Sequence, residues 1–175
     1  WLYVPNRNGG GALIDYCCYG AIISRVLLGR PHSITAAAGN FVKPDLDAED
    51  NAVLLMLSPK AIGIADASWT QIDKFISYST VIYGSEGTLL AEPENSRLVL
   101  ATRKHPEGKE VEVPELESHM QNPIEHFLHG IESGGTFLNI CRPGHCRDVQ
   151  EILQAGIEAA ANGAQVDLPQ LEGMD

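Results

Sequence analysis

The 175-residue chain predicts an α+β fold in which a mainly antiparallel β-sheet packs against helices. Three observations carry that reading. Between His32 and Val113 the sequence breaks into short β-type runs separated by turn residues, with none of the long helical connections that parallel strands require. The connections Ser58-Pro59-Lys60, Gly84-Ser85-Glu86-Gly87 and His105-Pro106-Glu107-Gly108 are short enough to join antiparallel neighbours. Helical periodicity is confined to the flanks, before this block and after Pro114.

In chain order, residues 1–8 contain Pro5 and Asn6-Arg7-Asn8 and lead into Gly9-Gly10-Gly11, an entry loop whose backbone can approach another group closely. A helix follows over residues 12–28, with Arg25 in its last turn, Gly29 as its stop and Pro31 beyond. Ile14, Cys18, Ile22 and Val26 recur at helical spacing and are assigned to the core. Strands are expected over residues 34–42, 52–57, 61–70, 76–83, 87–91, 97–102 and 110–113. In the third, Ala61, Gly63, Ala65, Ala67 and Trp69 share one face, small enough to accept a closely packed helix. A helix begins at Ser118 or at Asn122-Pro123, runs through Ile131 and stops at Gly134-Gly135. Another covers residues 145–161, with Val149, Ile152, Leu153, Ile157 and Ala160 on its apolar stripe, and residues 165–168 form a last short strand before a loose acidic tail.

Composition narrows the function classes. A hydrophobic content of 44% suits one folded domain over residues 1–175 with a core of its own. Twelve Lys and Arg against 23 Asp and Glu give a net charge of −11, which opposes binding to a phosphate backbone and excludes nucleic acid as the expected partner. The longest apolar stretch is interrupted by Asp15 and Arg25, so no membrane partner is expected. The four cysteines show no disulfide or zinc spacing and fit a reducing cytoplasm. The chain starts at Trp1 with no leader-like segment, as a piece of a longer protein would.

The chemistry concentrates at the start of the first long helix. Asp15 and Tyr19 are four residues apart, so a carboxylate and a phenol lie on one face one turn from each other, suited to orienting a hydroxyl and relaying a proton. The structural alternative is a capping or paired aspartate beside a packing tyrosine. The three glycines lack the Gly-x-Gly-x-x-Gly order and the Lys-Ser/Thr of phosphate-binding loops. His126, His129, His145, Cys141 and Cys146 do not form a metal-ligand spacing, and no metal is expected. Cys17 and Cys18 read as helix packing residues, and the acidic run 45–50 as a solvated turn.

The succession Gly9-Gly10-Gly11-Ala12-Leu13-Ile14-Asp15-Tyr16-Cys17-Cys18-Tyr19 resembles the helix-opening motif of the C-terminal domain of the glucose-fructose oxidoreductase/inositol dehydrogenase (Gfo/Idh/MocA) family. Similar family landmarks are the acidic strand entry 45–50, Ala67-Ser68-Trp69, Ile82 to Leu89, Asn122 to Phe127, and Ala159 to Gly163 before Val166 to Pro169. The resemblance implies an open, mainly antiparallel sheet with helices packed on one face, the glyceraldehyde-3-phosphate-dehydrogenase-like C-terminal arrangement. Its other face would meet a second subunit in a homo-oligomer. It implies an oxidoreductase that moves hydride between NAD or NADP and a sugar, polyol or related hydroxy compound. The cofactor and a lysine would come from an N-terminal Rossmann domain outside this chain, so the chain alone would be inactive. Asp15 would orient the reacting hydroxyl or carbonyl, Tyr19 would stand at the His/Tyr proton-transfer position, and Arg7, Asn8 and Gly11 would contact substrate. Cys17 stands where the family often has glycine, and Tyr19 where inositol dehydrogenases have histidine. The alternative is a non-enzymatic ligand-binding or dimerisation module on the same fold.

Overall fold

The computed structural model describes residues 3–72, 78–135 and 137–169. They form an α+β structure with antiparallel sheets, in two compact units: residues 1–71 with 135–175, and residues 72–134.

The first unit opens with a one-turn helix, α1 (Pro5–Asn8), where a loop is expected from the sequence. Pro5 at its first position supplies a helical φ, and Gly9 at φ 90° ends it. Helix α2 (Ala12–Leu28) has the predicted bounds and stops at Gly29, φ 80°. Strands β1 (Ser33–Gly39), β2 (Asn51–Ser58) and β3 (Ala61–Ser68) follow as an antiparallel meander. Ser33 and Ile34 pair in turn with β8 (Val166–Asp167) after the last helix, giving the order β3-β2-β1-β8. The first strand ends three residues earlier than expected because Asp50 captures the amides of Phe41, Val42 and Lys43 and pulls them out of the ladder.

Helices α2 and α4 (Pro143–Asn162) cover one face of this sheet. The core joins Leu13, Cys17 and Ala21 of α2, Ile34, Leu54, Met56, Ala65 and Ala67 of the strands, and Val149, Ile152, Leu153 and Ala155 of α4. The core face of α2 is therefore set one position back from the expected Ile14, Cys18, Ile22 and Val26. Of these, Ile14, Cys18 and Ile22 pack against the core only partly buried. Small residues explain the rotation. A Cβ on Gly20 would lie 2.5 Å from the Ala65 side chain, and one on Gly63 would lie 2.7 Å from Ser24 Oγ, so helix and strand touch nearly backbone to backbone. The small face of β3 thus receives the helix. Residues Pro5–Leu28 are long and apolar enough to cross a membrane by length and composition. Here Gly9 interrupts them and the α2 portion contributes Ala12, Leu13, Cys17 and Ala21 to the core.

The second unit holds the sheet β4-β5-β6-β7, made of β4 (Thr80–Tyr83), β5 (Gly87–Glu92), β6 (Arg97–Thr102) and β7 (Lys109–Glu110). The predicted strands are thus shared between two sheets. The expected strand over residues 76–83 begins at Thr80 among the described residues, and positions 76 and 77 lie outside them, as does the tail from Gln170. Helix α3 (Pro123–Ser133) is capped by Asn122, whose Oδ1 accepts from the Ile124 and Glu125 amides, and ends at Gly134 with φ 62°.

Candidate functional site

Helix α2 starts without a side-chain cap of its own. The missing acceptor arrives from 38 residues away: Glu49 Oε1 accepts from the Gly11 and Leu13 amides at 2.7 and 3.0 Å, and the Glu49 carbonyl accepts from the Ala12 amide at 3.0 Å. Three of the four amides that a helix N-terminus leaves open are thereby filled by one residue, whose charge also opposes the helix dipole. A Cβ on Gly11 would overlap the Glu49 backbone, which is why a glycine stands there. The glycine turn therefore fits the protein's own carboxylate and does not fit a dinucleotide phosphate, which would need these same amides and would meet Glu49.

One turn further, Asp15 is half-buried, and its Oδ2 accepts from the indole Nε1–H of Trp69 at 2.9 Å. Trp69 closes β3, and its own amide donates to the Asp50 carbonyl at 2.8 Å. The Tyr3 ring meets Trp69 edge to face at 5.2 Å. Tyr19 follows Asp15 on the same helix face, half exposed, with its ring 6.5 Å from that of Tyr16. Asp15 and Tyr19 are thus brought together by α2.

The other sequence-derived candidates stand elsewhere. Arg7 is exposed on the last turn of α1, and the Asn8 side chain donates to the Gly10 carbonyl at 3.1 Å. Among the described residues neither bonds to Asp15 or Tyr19. The Gly11 amide is occupied by Glu49.

The acidic run 45–50 is not a solvated turn at its end. Asp50 is wholly buried. Burial pushes its carboxyl up, but the amides of Phe41, Val42 and Lys43 and the Asn51 side chain outweigh that and hold it far below the ordinary carboxylate range. Glu49 and Asp50 escape a reading by composition because their partners are backbone amides, which no residue type marks. Trp69 left a usable signal: an indole on the helix-facing side of β3 needs an acceptor for its N–H, and Asp15 is available on the facing helix.

The two thiols of α2 behave as packing groups. Burial, then the charge of Asp66, pushes Cys17 up to about 12, and burial followed by the charge of Asp15 also raises Cys18. In the second unit, His119 joins His126 and His129, with ring centroids 6.1 and 4.0 Å from it. Among the described residues no group of three or more His, Cys, Asp or Glu side chains is arranged to hold a metal ion.

Helix α2 thus opens on a glycine turn, carries Asp15 and Tyr19 one turn apart, and packs on an antiparallel sheet. A sequence profile of the GFO/IDH/MocA C-terminal domain matches residues 1–90, and the chain belongs to that family. A search of curated proteins gives no match. Among solved structures, levoglucosan dehydrogenase in complex with NADH and levoglucosan superposes with a TM-score of 0.80 at 20% identity, over 97% of this chain and 53% of that one. An oxidoreductase from Agrobacterium radiobacter in complex with NAD+, L-tartaric acid and magnesium gives 0.71 at 23% identity, over 90% and 49%. A UDP-N-acetylglucosamine 3-dehydrogenase from Acidithiobacillus ferrooxidans gives 0.69 at 18%, over 86% and 47%. At these identities the likeness is one of fold, and the chain spans about half the length of these structures.

Proposed function

We propose that this chain is the substrate-binding half of an NAD(P)-dependent oxidoreductase acting on a CH–OH group of a sugar, polyol or related hydroxy compound. The observation that carries the proposal is the pairing of Asp15 and Tyr19 on one face of α2, at the helix that opens the family's domain. The nicotinamide, NAD or NADP, would accept or return the hydride and would be held by a Rossmann domain outside these residues. The present residues bind and orient. The Asp15 oxygen not engaged by Trp69 accepts from a substrate hydroxyl, and the Tyr19 phenol, one turn away, exchanges a proton with the reacting oxygen. Arg7 and Asn8 are assigned as outer substrate contacts. Levoglucosan and L-tartaric acid, bound by two proteins of this fold, both present several oxygens to hydrogen-bond donors and acceptors, which supports a polyhydroxylated substrate. Four free thiols support a reducing cytoplasm as its location.

In the enzyme containing this chain, Asp15→Asn and Tyr19→Phe each lower kcat by about 100-fold, the range of general acid–base catalysis. Wild-type rates in both variants remove the assignment. The 175-residue chain alone shows no NAD(P)-dependent turnover; turnover by it overturns the two-domain reading.

We also propose that the sheet face opposite the helices joins two copies of the chain. Ile62 and Ile64 are each 65% exposed on that face, opposite Leu57 and Leu55 of the neighbouring strand, with Val53 two residues from Leu55 along that strand. Ile64→Asp yields a species of half the mass in sedimentation; a wild-type protein that stays monomeric at high concentration refutes the proposal.

A further inference from the structure

We infer that Trp69 is the positioning residue of this site, holding one oxygen of Asp15 so that the other faces the substrate hydroxyl. The inference rests on the reading of Asp15 as a substrate-orienting group. The two residues are 54 positions apart, and the bond between them joins the residue that follows β3 to the first turn of α2.

A carboxylate on a helix surface rotates about its side chain, and every orientation but one misplaces the lone pairs that a substrate hydroxyl needs. A single N–H donor at Oδ2 removes that freedom while leaving Oδ1 without a hydrogen bond from the described residues. An indole is suited to the task because it donates one hydrogen bond and accepts none, so it cannot compete with substrate for the remaining oxygen. It also leaves the carboxylate its negative charge and introduces no positive partner, unlike the guanidinium groups that surround Asp148.

The indole is itself held on three sides. Its backbone amide donates to the carbonyl of Asp50, the residue whose buried carboxylate organises the turn after β1. Its ring packs against the core with α2 on one side, and Tyr3 abuts it edge to face. The lever is therefore rigid at its base and acts on one oxygen at its tip. Satisfying a half-buried indole alone would require only some acceptor. Here the acceptor is the carboxylate of the helix-opening motif.

A double-mutant cycle in the enzyme containing this chain tests the inference, with levoglucosan as the probe substrate. Trp69→Phe keeps an aromatic ring and removes the N–H. It is expected to lower kcat/KM by about 10- to 100-fold, the penalty of a misplaced reacting group. The same change made in an Asp15→Ala background is expected to cost nothing further. A loss that persists in that background identifies Trp69 as core support and overturns the inference. Wild-type kcat/KM in Asp15→Ala removes the underlying reading of Asp15 instead, so the two failures are distinguishable. A second measurement leaves Trp69 in place: in the 175-residue chain, Asp15→Ala is expected to shift the indole N–H resonance of Trp69. An unmoved Trp69 resonance refutes the hydrogen bond and the inference with it.

Discussion

At its C-terminal end α2 is tied to α4 by charge: Arg25 Nε donates to Asp148 Oδ2 at 2.6 Å, while Arg30 Nη1 and Arg147 Nη2 donate to Oδ1 at 2.9 and 2.6 Å. At its N-terminal end the ties run to Glu49 and to the neutral indole of Trp69. The carboxylates differ in what is left over. Asp148 is 2% exposed and both its oxygens are claimed by guanidinium groups, so it can only hold the helices together. Asp15 is half-buried and meets one neutral donor, so it retains an oxygen and a charge for another molecule. One helix thus carries a structural carboxylate contact at its end and a chemical one near its beginning, separated by what surrounds each.

The largest effect expected from breaking this contrast is at Asp148. Asp148→Ala leaves Arg25 without its carboxylate and Arg30 with Glu151 alone, both guanidinium groups mostly buried, and should cost about 3 kcal/mol in urea unfolding, the scale for opening a buried ion pair. A loss below about 1 kcal/mol, the scale of a surface pair, would place the cluster among ordinary surface charges. Acid provides the same test without a mutation. Burial pushes the Asp148 carboxyl up, but the hydrogen bonds from Arg147 and Arg25 and the charges of Arg25 and Arg30 outweigh it and bring it below the ordinary range. Asp50 is shifted the same way by its amides. The unfolded chain therefore takes up these protons more readily than the folded one. Their stabilisation is complete above the ordinary value of about pH 4 and is lost as pH falls through the lowered folded values. Unfolding free energy measured from pH 7 to pH 2 should fall below about pH 4, and less steeply in Asp148→Asn.

Next in size is the contact between the two ends. Gly20→Val forces a side chain into the Ala65 position, where even a Cβ would lie at 2.5 Å, and should cost about 2 kcal/mol. At the helix start, Glu49→Gln keeps an acceptor for the Gly11 and Leu13 amides but removes the charge facing the helix dipole, for about 1 kcal/mol. Chemical denaturation of both variants ranks them; the reverse order would mean that the helix start, and not its seam with β3, fixes α2.

These residues also separate what was legible in the sequence from what was not. The bounds of α2, the meander of β1 to β3 and the cap at Asn122 follow from local signals, a terminal glycine, alternation and an Asn-Pro start, and the structure has them. The small face of β3 was legible too, and it predicts a close helix. The rotation of α2 was not, because Gly20 and Ser24 carry no hydrophobic signal although they make the seam. The Glu49 cap and the Asp50 turn were hidden for a different reason: both join a carboxylate to backbone amides, which every residue has and no pattern marks. The division of the strands into two sheets depends on which edges pair, and turn lengths do not specify it. Of the site, the Asp15–Tyr19 pair was visible in the spacing, whereas the indole that holds Asp15 required the third dimension.

The smallest expected effect sharpens the comparison most. Asp15→Asn retains an oxygen that can accept from the Trp69 indole and changes little volume, so unfolding free energy should move by less than about 0.5 kcal/mol, below the net worth of one hydrogen bond. The same substitution in the enzyme is expected to remove most turnover, since an amide oxygen is a weaker acceptor for a hydroxyl that must be oriented and polarised. Stability and activity therefore part company at Asp15 and not at Asp148. If Asp15→Asn instead lowers stability as far as Asp148→Ala in the same urea titration, then Asp15 is a second structural anchor of α2. The distinction between its two ends would disappear, and the chemistry would have to be sought on another face of the domain.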